Sequence, residues 1–305
     1  MTSKSEHPLA SVAALLLLSA MWGYNWVVMK LTLNYIGAFQ FSALRTFLAS
    51  LVLMGIVVMQ KKRLKPQYLG WTTVIGILQT SGFTGLIIWA LVSGGAGKVA
   101  VLTYTMPFWV MVLAWPLLGE KIRGMQWIAA LASVLGLTLI LAPWQLHGSP
   151  FSNVLAVMAG ISWALAVILA KKLHHKAPDM DLLSFTAWQM LIGSLPIVVV
   201  ALLVPAPAIQ WTGYLIGALT YNILACNALA WLLWLYALKR MQAGIASMIT
   251  LLAPVIGVLS AWIQLHEVPT RLDLGGMSLI AFSLLVIAVH SIRRHEEVEP
   301  AIGQE

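Results

Sequence analysis

The chain has 305 residues, of which 60% are hydrophobic and 9% charged, and its formal net charge is +8. Soluble domains run at roughly 45–50% apolar and about 25% charged, so this chain cannot dress a water-facing surface of ordinary composition, and it is far too apolar for disorder. One cysteine, Cys226, excludes an internal disulfide and a thiolate metal cage, while the positive balance reads as basic loops that orient helices in a bilayer, not as a nucleic-acid surface.

A helix that crosses a bilayer needs ~20 mostly apolar residues. The chain divides into ten such segments, beginning with Leu9 to Met29, Ala38 to Met59, Leu69 to Val92, Gly97 to Leu118 and Met125 to Ala142. The second five are Val154 to Ala170, Leu182 to Val204, Trp211 to Leu238, Gly244 to Leu265 and Leu272 to His290. The first follows Lys4 as a secretory signal would, but it stays apolar to Met29, beyond the ~7–15 residues of a signal core, and is read as a retained helix. The expected fold is an all-α integral membrane protein of ten transmembrane helices, with residues 294–305 as a C-terminal tail.

The loops between these segments carry an alternating charge. With a cytoplasmic N-terminus, the inner segments hold Lys4, Lys61, Lys62, Arg63, Lys65, Lys121, Arg123, Lys171, Lys172, Lys176, Lys239, Arg240, Arg293 and Arg294, fourteen of the 18 basic residues. The outer side keeps Lys30, Lys98 and Arg271. Basic residues resist translocation, which places both termini in the cytoplasm and the protein in the cell (inner) membrane. Arg45 falls within the second helix, about 10 Å deep at 1.5 Å per residue. Two readings stay open for it: snorkelling to the outer headgroups, or a bridge to Glu267 on the same side.

The sequence also repeats. Gly97 to Glu120 reads GKVAVLTYTMPFWVMVLAWPLLGE, and 147 residues later Gly244 to Glu267 reads GIASMITLLAPVIGVLSAWIQLHE. Trp22 and Lys30 find Trp163 and Lys171 at an offset of 141. The repeat therefore spans five helices, residues 1–145 and 150–293, and an odd number turns the second half over in the membrane. Inverted repeats of this kind are a transporter architecture, with the substrate site near mid-membrane where the halves meet.

Pro107…Leu118-Gly119-Glu120, repeated as Pro254…Leu265-His266-Glu267, resembles the EamA repeat of the drug/metabolite transporter superfamily. Trp22-Gly23-Tyr24-Asn25 and Leu44-Arg45-Thr46-Phe47 are similar to that family as well, and the likeness covers nearly the whole chain. The second half departs from the pattern at Gln189, in place of the arginine, and at His266, in place of the glycine. The resemblance implies ten helices, cytoplasmic termini and export of small metabolites, with the YddG-like amino-acid exporters as the nearest branch.

All ten acidic residues fall in loops, tails or helix ends, so a proton relay, a paired-carboxylate hydrolase and a metal site are not expected, and no phosphate-binding glycine loop or cofactor motif is found. What remains at mid-depth is uncharged. The first half offers Trp22, Asn25, Gln79, Thr103 and Tyr104 as substrate-binding candidates, and the second offers Trp163, Tyr221, Asn222, Asn227 and Thr250. Such side chains either line a cavity or hydrogen-bond between helices merely to hold the bundle. Pro107 and Pro254 each free the carbonyl four residues earlier, at Thr103 and Thr250, and are hinge candidates. Small residues in the fifth helix (Ala129, Ala130, Ala132, Ser133, Gly136) and the tenth (Gly275, Gly276, Ser278, Ala281, Ser283) permit close approach, inside one chain or between two copies; the oligomeric state stays open. A site of this composition suits an amino acid, including aromatic ones, moved by alternating access without strong proton coupling. Export of lipophilic cations, drugs or purine-like metabolites is the alternative, and an intramembrane enzyme the distant one.

Overall fold

The computed structural model describes residues 8–93, 102–121, 124–141, 150–266 and 268–296. These form α1 (Pro8–Thr32), α2 (Ala38–Met59), α3 (residues 69–93), α4 (Met106–Leu118), α5 (Met125–Leu141), α6 (Pro150–Lys176), α7 (Leu182–Leu203), α8 (residues 213–240), α9 (Ala243–Ile249), α10 (Leu252–Leu265) and α11 (Arg271–Glu296). No strand occurs among the described residues. Among the described residues, seven stretches are helical, long and apolar enough to cross a membrane, and Met106–Leu118 and Trp127–Ile140 are shorter apolar helices. Leu17, Trp89, Val112, Leu131, Leu202, Ile263 and Leu285 are exposed around the bundle, where a lipid-facing surface would lie.

Two of the predicted segments are interrupted. In the fourth, residues 104–105 form a turn and α4 starts afresh with Pro107 in its first turn. In the ninth, α9 stops at Ile249, Thr250 and Leu251 turn, and α10 carries Pro254 in its first turn. A first-turn proline costs no helical hydrogen bond, because that N–H would lack a partner anyway. The expected mid-helix kink is therefore a break that precedes each proline. The Thr250 carbonyl is not freed, since it accepts from the Ala253 N–H at 2.9 Å. Gly119 ends α4 in the left-handed region at φ +70°, and His266 ends α10 in the same region at φ +57°. The departure from the glycine pattern thus changes the residue and keeps the backbone.

Two others widen. α3 passes through a π-helical stretch, Ile77–Gly82, between α-helical Leu69–Gly76 and Phe83–Ser93. α8 does the same over Asn222–Leu229, between Gly213–Tyr221 and Ala230–Arg240. There the Asn227 side-chain amide donates to the Asn222 carbonyl at 2.8 Å, satisfying a backbone acceptor inside the widened turn.

α1 packs on α8 and α10, α6 packs on α3 and α4, α2 on α7, and α5 on α11. The small residues of α5 and α11 meet within the chain, which answers that open question for them. A Cβ on Gly136 would lie 2.7 Å from the Gly276 carbonyl oxygen, and Ser133 and Ser283 share a 2.6 Å hydrogen bond. Gly76 of α3 and Gly193 of α7 approach as closely.

The loops gather at two ends. At one, Lys62 pairs with Asp181 at 2.5 Å, Trp188 donates to the Leu64 carbonyl at 2.9 Å, and Lys239 donates to the Pro178 carbonyl. Glu120 accepts from the Ala243 N–H at 2.8 Å at this same end. At the other, the Gln210 N–H donates to the Tyr35 carbonyl at 2.9 Å. The proposed Arg45 partner Glu267, the loop carrying His147 and residues 297–305 lie outside the described residues.

Candidate functional site

A cavity of about 180 Å³ opens where α1, α2, α3, α8 and the two helix interruptions converge. Trp22, Asn25, Gln79, Thr103, Tyr104, Asn227 and Thr250 all line it. The cavity extends past Phe41 to Ala38 and Leu33, toward the end where Tyr35 meets Gln210.

Each wall is held from behind. Trp22 Nε1 donates to the Cys226 carbonyl at 3.0 Å and its ring stands edge-on to Trp231, with centroids 5.3 Å apart. Trp26, one helical turn further, donates to the Tyr104 hydroxyl and so ties α1 to the interruption before α4. The π-helical stretch of α3 brings Gln79 and Thr80 to the cavity, and that of α8 brings Cys226 and Asn227. Such insertions in a helix recur at functional sites. The Gln79 carbonyl oxygen accepts from the Gln189 amide of α7, which leaves Gln79 Nε2 without a partner. Asn25 Oδ1 and the Thr103 hydroxyl are likewise buried and unpaired. The Thr250 hydroxyl, by contrast, donates to the Ser247 carbonyl at 2.6 Å.

Three candidates stand elsewhere. Trp163 is 1% exposed and lies against Trp234, ring centroids 5.0 Å apart, in the apolar core. Tyr221 donates to the Met21 carbonyl at 2.8 Å and packs on Tyr24. Asn222 is fully buried one layer behind the cavity, its amide donating to the Ala218 carbonyl at 3.0 Å. Neither hinge candidate, Pro107 or Pro254, touches the cavity.

Sequence reasoning left out Trp26, Phe83, Trp231 and Arg45 as wall residues. Trp26 was within reach, because four residues from Trp22 it shares that residue's helix face. The others needed the rotation of their helices.

Beyond Trp163 the helix α6 stays packed, with Ala164, Ala166, Val167, Ile168 and Ala170 at most 1% exposed. Lys171 is buried and donates to the Leu238 and Met241 carbonyls at 2.6 and 2.5 Å, the last turn of α8 and its cap. Burial holds the Glu120 carboxyl above the usual carboxylate range, against the pull of Lys171 and of the Ala243 and Gly244 N–H groups. For Asp181 burial acts upward, but the Lys62 ammonium and Ser184 outweigh it and leave the carboxyl below its ordinary value.

The EamA-like transporter family matches the chain twice, at residues 9–142 and 150–289. The uncharacterized transporter YvbV of Bacillus subtilis is 30% identical over 89% of this chain and 89% of its own length. YoaV of the same organism is 29% identical over 81% and 86%. A probable amino-acid metabolite efflux pump of Salmonella typhimurium is 26% identical over 89% and 92%. One crystal structure superposes with a TM-score of 0.79 at 18% identity, covering 95% of this chain and 99% of its own, which shows a shared fold. With a cavity that carries a few polar side chains among apolar helices, and two family matches that together span nearly its whole length, the chain belongs to the EamA-like transporter family and is a membrane transporter of that kind.

Proposed function

We propose that this transporter exports small metabolites, foremost amino acids including aromatic ones, by alternating access. Its ten crossings form two inverted five-helix halves, residues 1–145 and 150–293, in the cell (inner) membrane with both termini and the tail 294–305 cytoplasmic. The observation that carries the reading is the cavity wall, where four buried polar atoms, Asn25 Oδ1, Arg45 Nε, Gln79 Nε2 and Thr103 Oγ1, find no partner. Buried polar groups are nearly always paired, so these call for a polar visitor. Trp22, Trp26 and Phe83 add the apolar faces that an aromatic side chain would use.

The packing supports two related halves. Exchanging them carries the contacts of α1 with α8 and α10 onto those of α6 with α3 and α4, and returns α2–α7 and α5–α11 to themselves. The loops rich in lysine and arginine gather at one end, in keeping with a cytoplasmic face. The relatives named as amino-acid metabolite efflux pumps favour an amino-acid substrate. A guanidinium on the wall speaks against lipophilic cations.

Liposomes containing only this protein and preloaded with an unlabelled amino acid should take up the labelled form transiently and saturably, without an imposed pH gradient. Flux that never saturates would mean a channel. Silence across an amino-acid panel would remove the substrate assignment.

A further inference from the structure

Among the described residues, Arg45 is the one charged residue that lines the cavity, and no acid of theirs faces it there. Its surroundings hold it loosely. Nη1 lies 3.3 Å from the Asn222 side-chain oxygen and 3.3 Å from the Met29 sulfur, and the guanidinium carbon stands 5.5 Å from the centre of the Phe41 ring. Nε is buried without a partner, and no carboxylate of the described residues pairs with the group. Asn222 is fixed by its own bond to the Ala218 carbonyl, which turns its oxygen toward Arg45. A guanidinium offers five N–H donors in a planar fork, and the hydrogen bonds it makes to the described residues engage a single nitrogen, through two long contacts. A cation at membrane depth is costly, and residues of this kind mark substrate or ion pathways.

The missing partner is an anion with the shape of that fork. We infer that the cavity selects a carboxylate on an apolar or aromatic body, anchored on Arg45 and steadied from α8 by Asn222. The inference rests on the transport reading above and sharpens its substrate class. A carboxylate can take parallel N–H bonds from the fork, while the body of the ligand meets Trp22, Trp26 and Phe83. Because the described wall carries no acid, an ammonium group meets only neutral oxygens and ring faces there. The carboxylate is therefore required and the ammonium is dispensable.

The test uses three probes of one shape on the purified full-length protein: L-phenylalanine, its amide and 3-phenylpropanoate, each measured by binding and by counterflow. Both carboxylates should bind, and the amide should be at least about tenfold weaker. Arg45→Gln should weaken both carboxylates about 10- to 100-fold, the worth of a charge-assisted hydrogen bond, and leave the amide unchanged. Arg45→Lys should recover part of the loss. The comparison of probes in the unaltered protein needs no variant, so a misfolded Arg45→Gln does not hide the answer. An amide that binds and moves as well as phenylalanine overturns the role of Arg45 and leaves amino-acid export standing. Binding of 3-phenylpropanoate without phenylalanine upholds the carboxylate anchor and removes the amino-acid substrate. Failure of all three probes to bind counts against both.

Discussion

Trp22 and Trp163 hold matching places in the two half-sequences, yet their surroundings differ. Trp22 is half-buried, edge-on to Trp231, and forms a cavity wall beside unpaired polar atoms of Asn25, Gln79 and Thr103. Trp163 has 1% of its surface exposed and is packed on Trp234 within the apolar core. Around Trp22 polar atoms stand without partners beside a cavity; around Trp163 the side chains are packed and exclude water. Repeated sequence does not impose repeated environment when the halves close unequally. On the transport reading, the two tryptophans exchange these roles during the cycle, and the bonds of Glu120 and Lys171 belong to the end that is shut.

The sharpest way to break this contrast is to truncate both tryptophans. Trp163→Ala leaves a void in a packed core and should cost about 3–5 kcal/mol, seen as a large fall in melting temperature and in folded yield. Unchanged melting would mean that the closed wall is not packed. Gly23 lies on the packed face of the cavity helix α1, where an added Cβ would come within 2.7 Å of the Ala253 carbonyl oxygen. Gly23→Ala should therefore destabilise by about 1–3 kcal/mol through overpacking, by the same melting assay. Neutral behaviour would show that α1 and α10 separate easily. Trp22→Ala and Asn227→Ala should lower transport of an aromatic amino acid severalfold, with melting shifted less than by Trp163→Ala, and the exposed Trp211→Ala should leave both within error. Normal transport by the first two, with failure of the control, would put the site elsewhere.

The smallest effect concerns pH at the closed end. Glu120 has a folded-state pKa above its ordinary value, chiefly through burial. A carboxyl raised in this way contributes its stability fully below its unfolded pKa, near about 4.3, and loses it as pH rises through the raised value. The stability of Glu120→Gln relative to the unaltered protein should therefore improve as pH is raised from about 4 to neutrality. A shift in the opposite sense would mean that attraction to Lys171 outweighs burial.

Much of this arrangement was legible from the residues. The apolar spans located seven long helices and two shorter ones among the described residues, and the basic loops at Lys62 and Lys239 meet at one end. Seven of the ten polar and aromatic candidates line the cavity, since amides and hydroxyls at that depth must avoid lipid. Trp163 was not legible, because its partner Trp234 comes from another helix, and sequence does not report which faces of two helices meet. The prolines marked two irregular places but not their form: the chain breaks ahead of each, where a first-turn proline is free of cost. The contact of Arg45 to Asn222 was not legible, because it crosses from α2 to α8, and its alternative partner Glu267 lies outside the described residues. The π-helical stretches leave no compositional trace at all.

Those stretches bear on how the chain tolerates a change of length. Each one accommodates a residue more than an α-helix of the same height would hold. Deleting a residue elsewhere in α3 or α8 turns everything beyond it by about 100° and scrambles the packed faces. Deleting one within Ile77–Gly82 or Asn222–Leu229 would let the helix close normally and keep both flanks in register, at the expense of the inward placement of Gln79 and Thr80, or of Cys226 and Asn227. A shortening at these two places would be inherited as an altered appetite for substrate, with the architecture left intact.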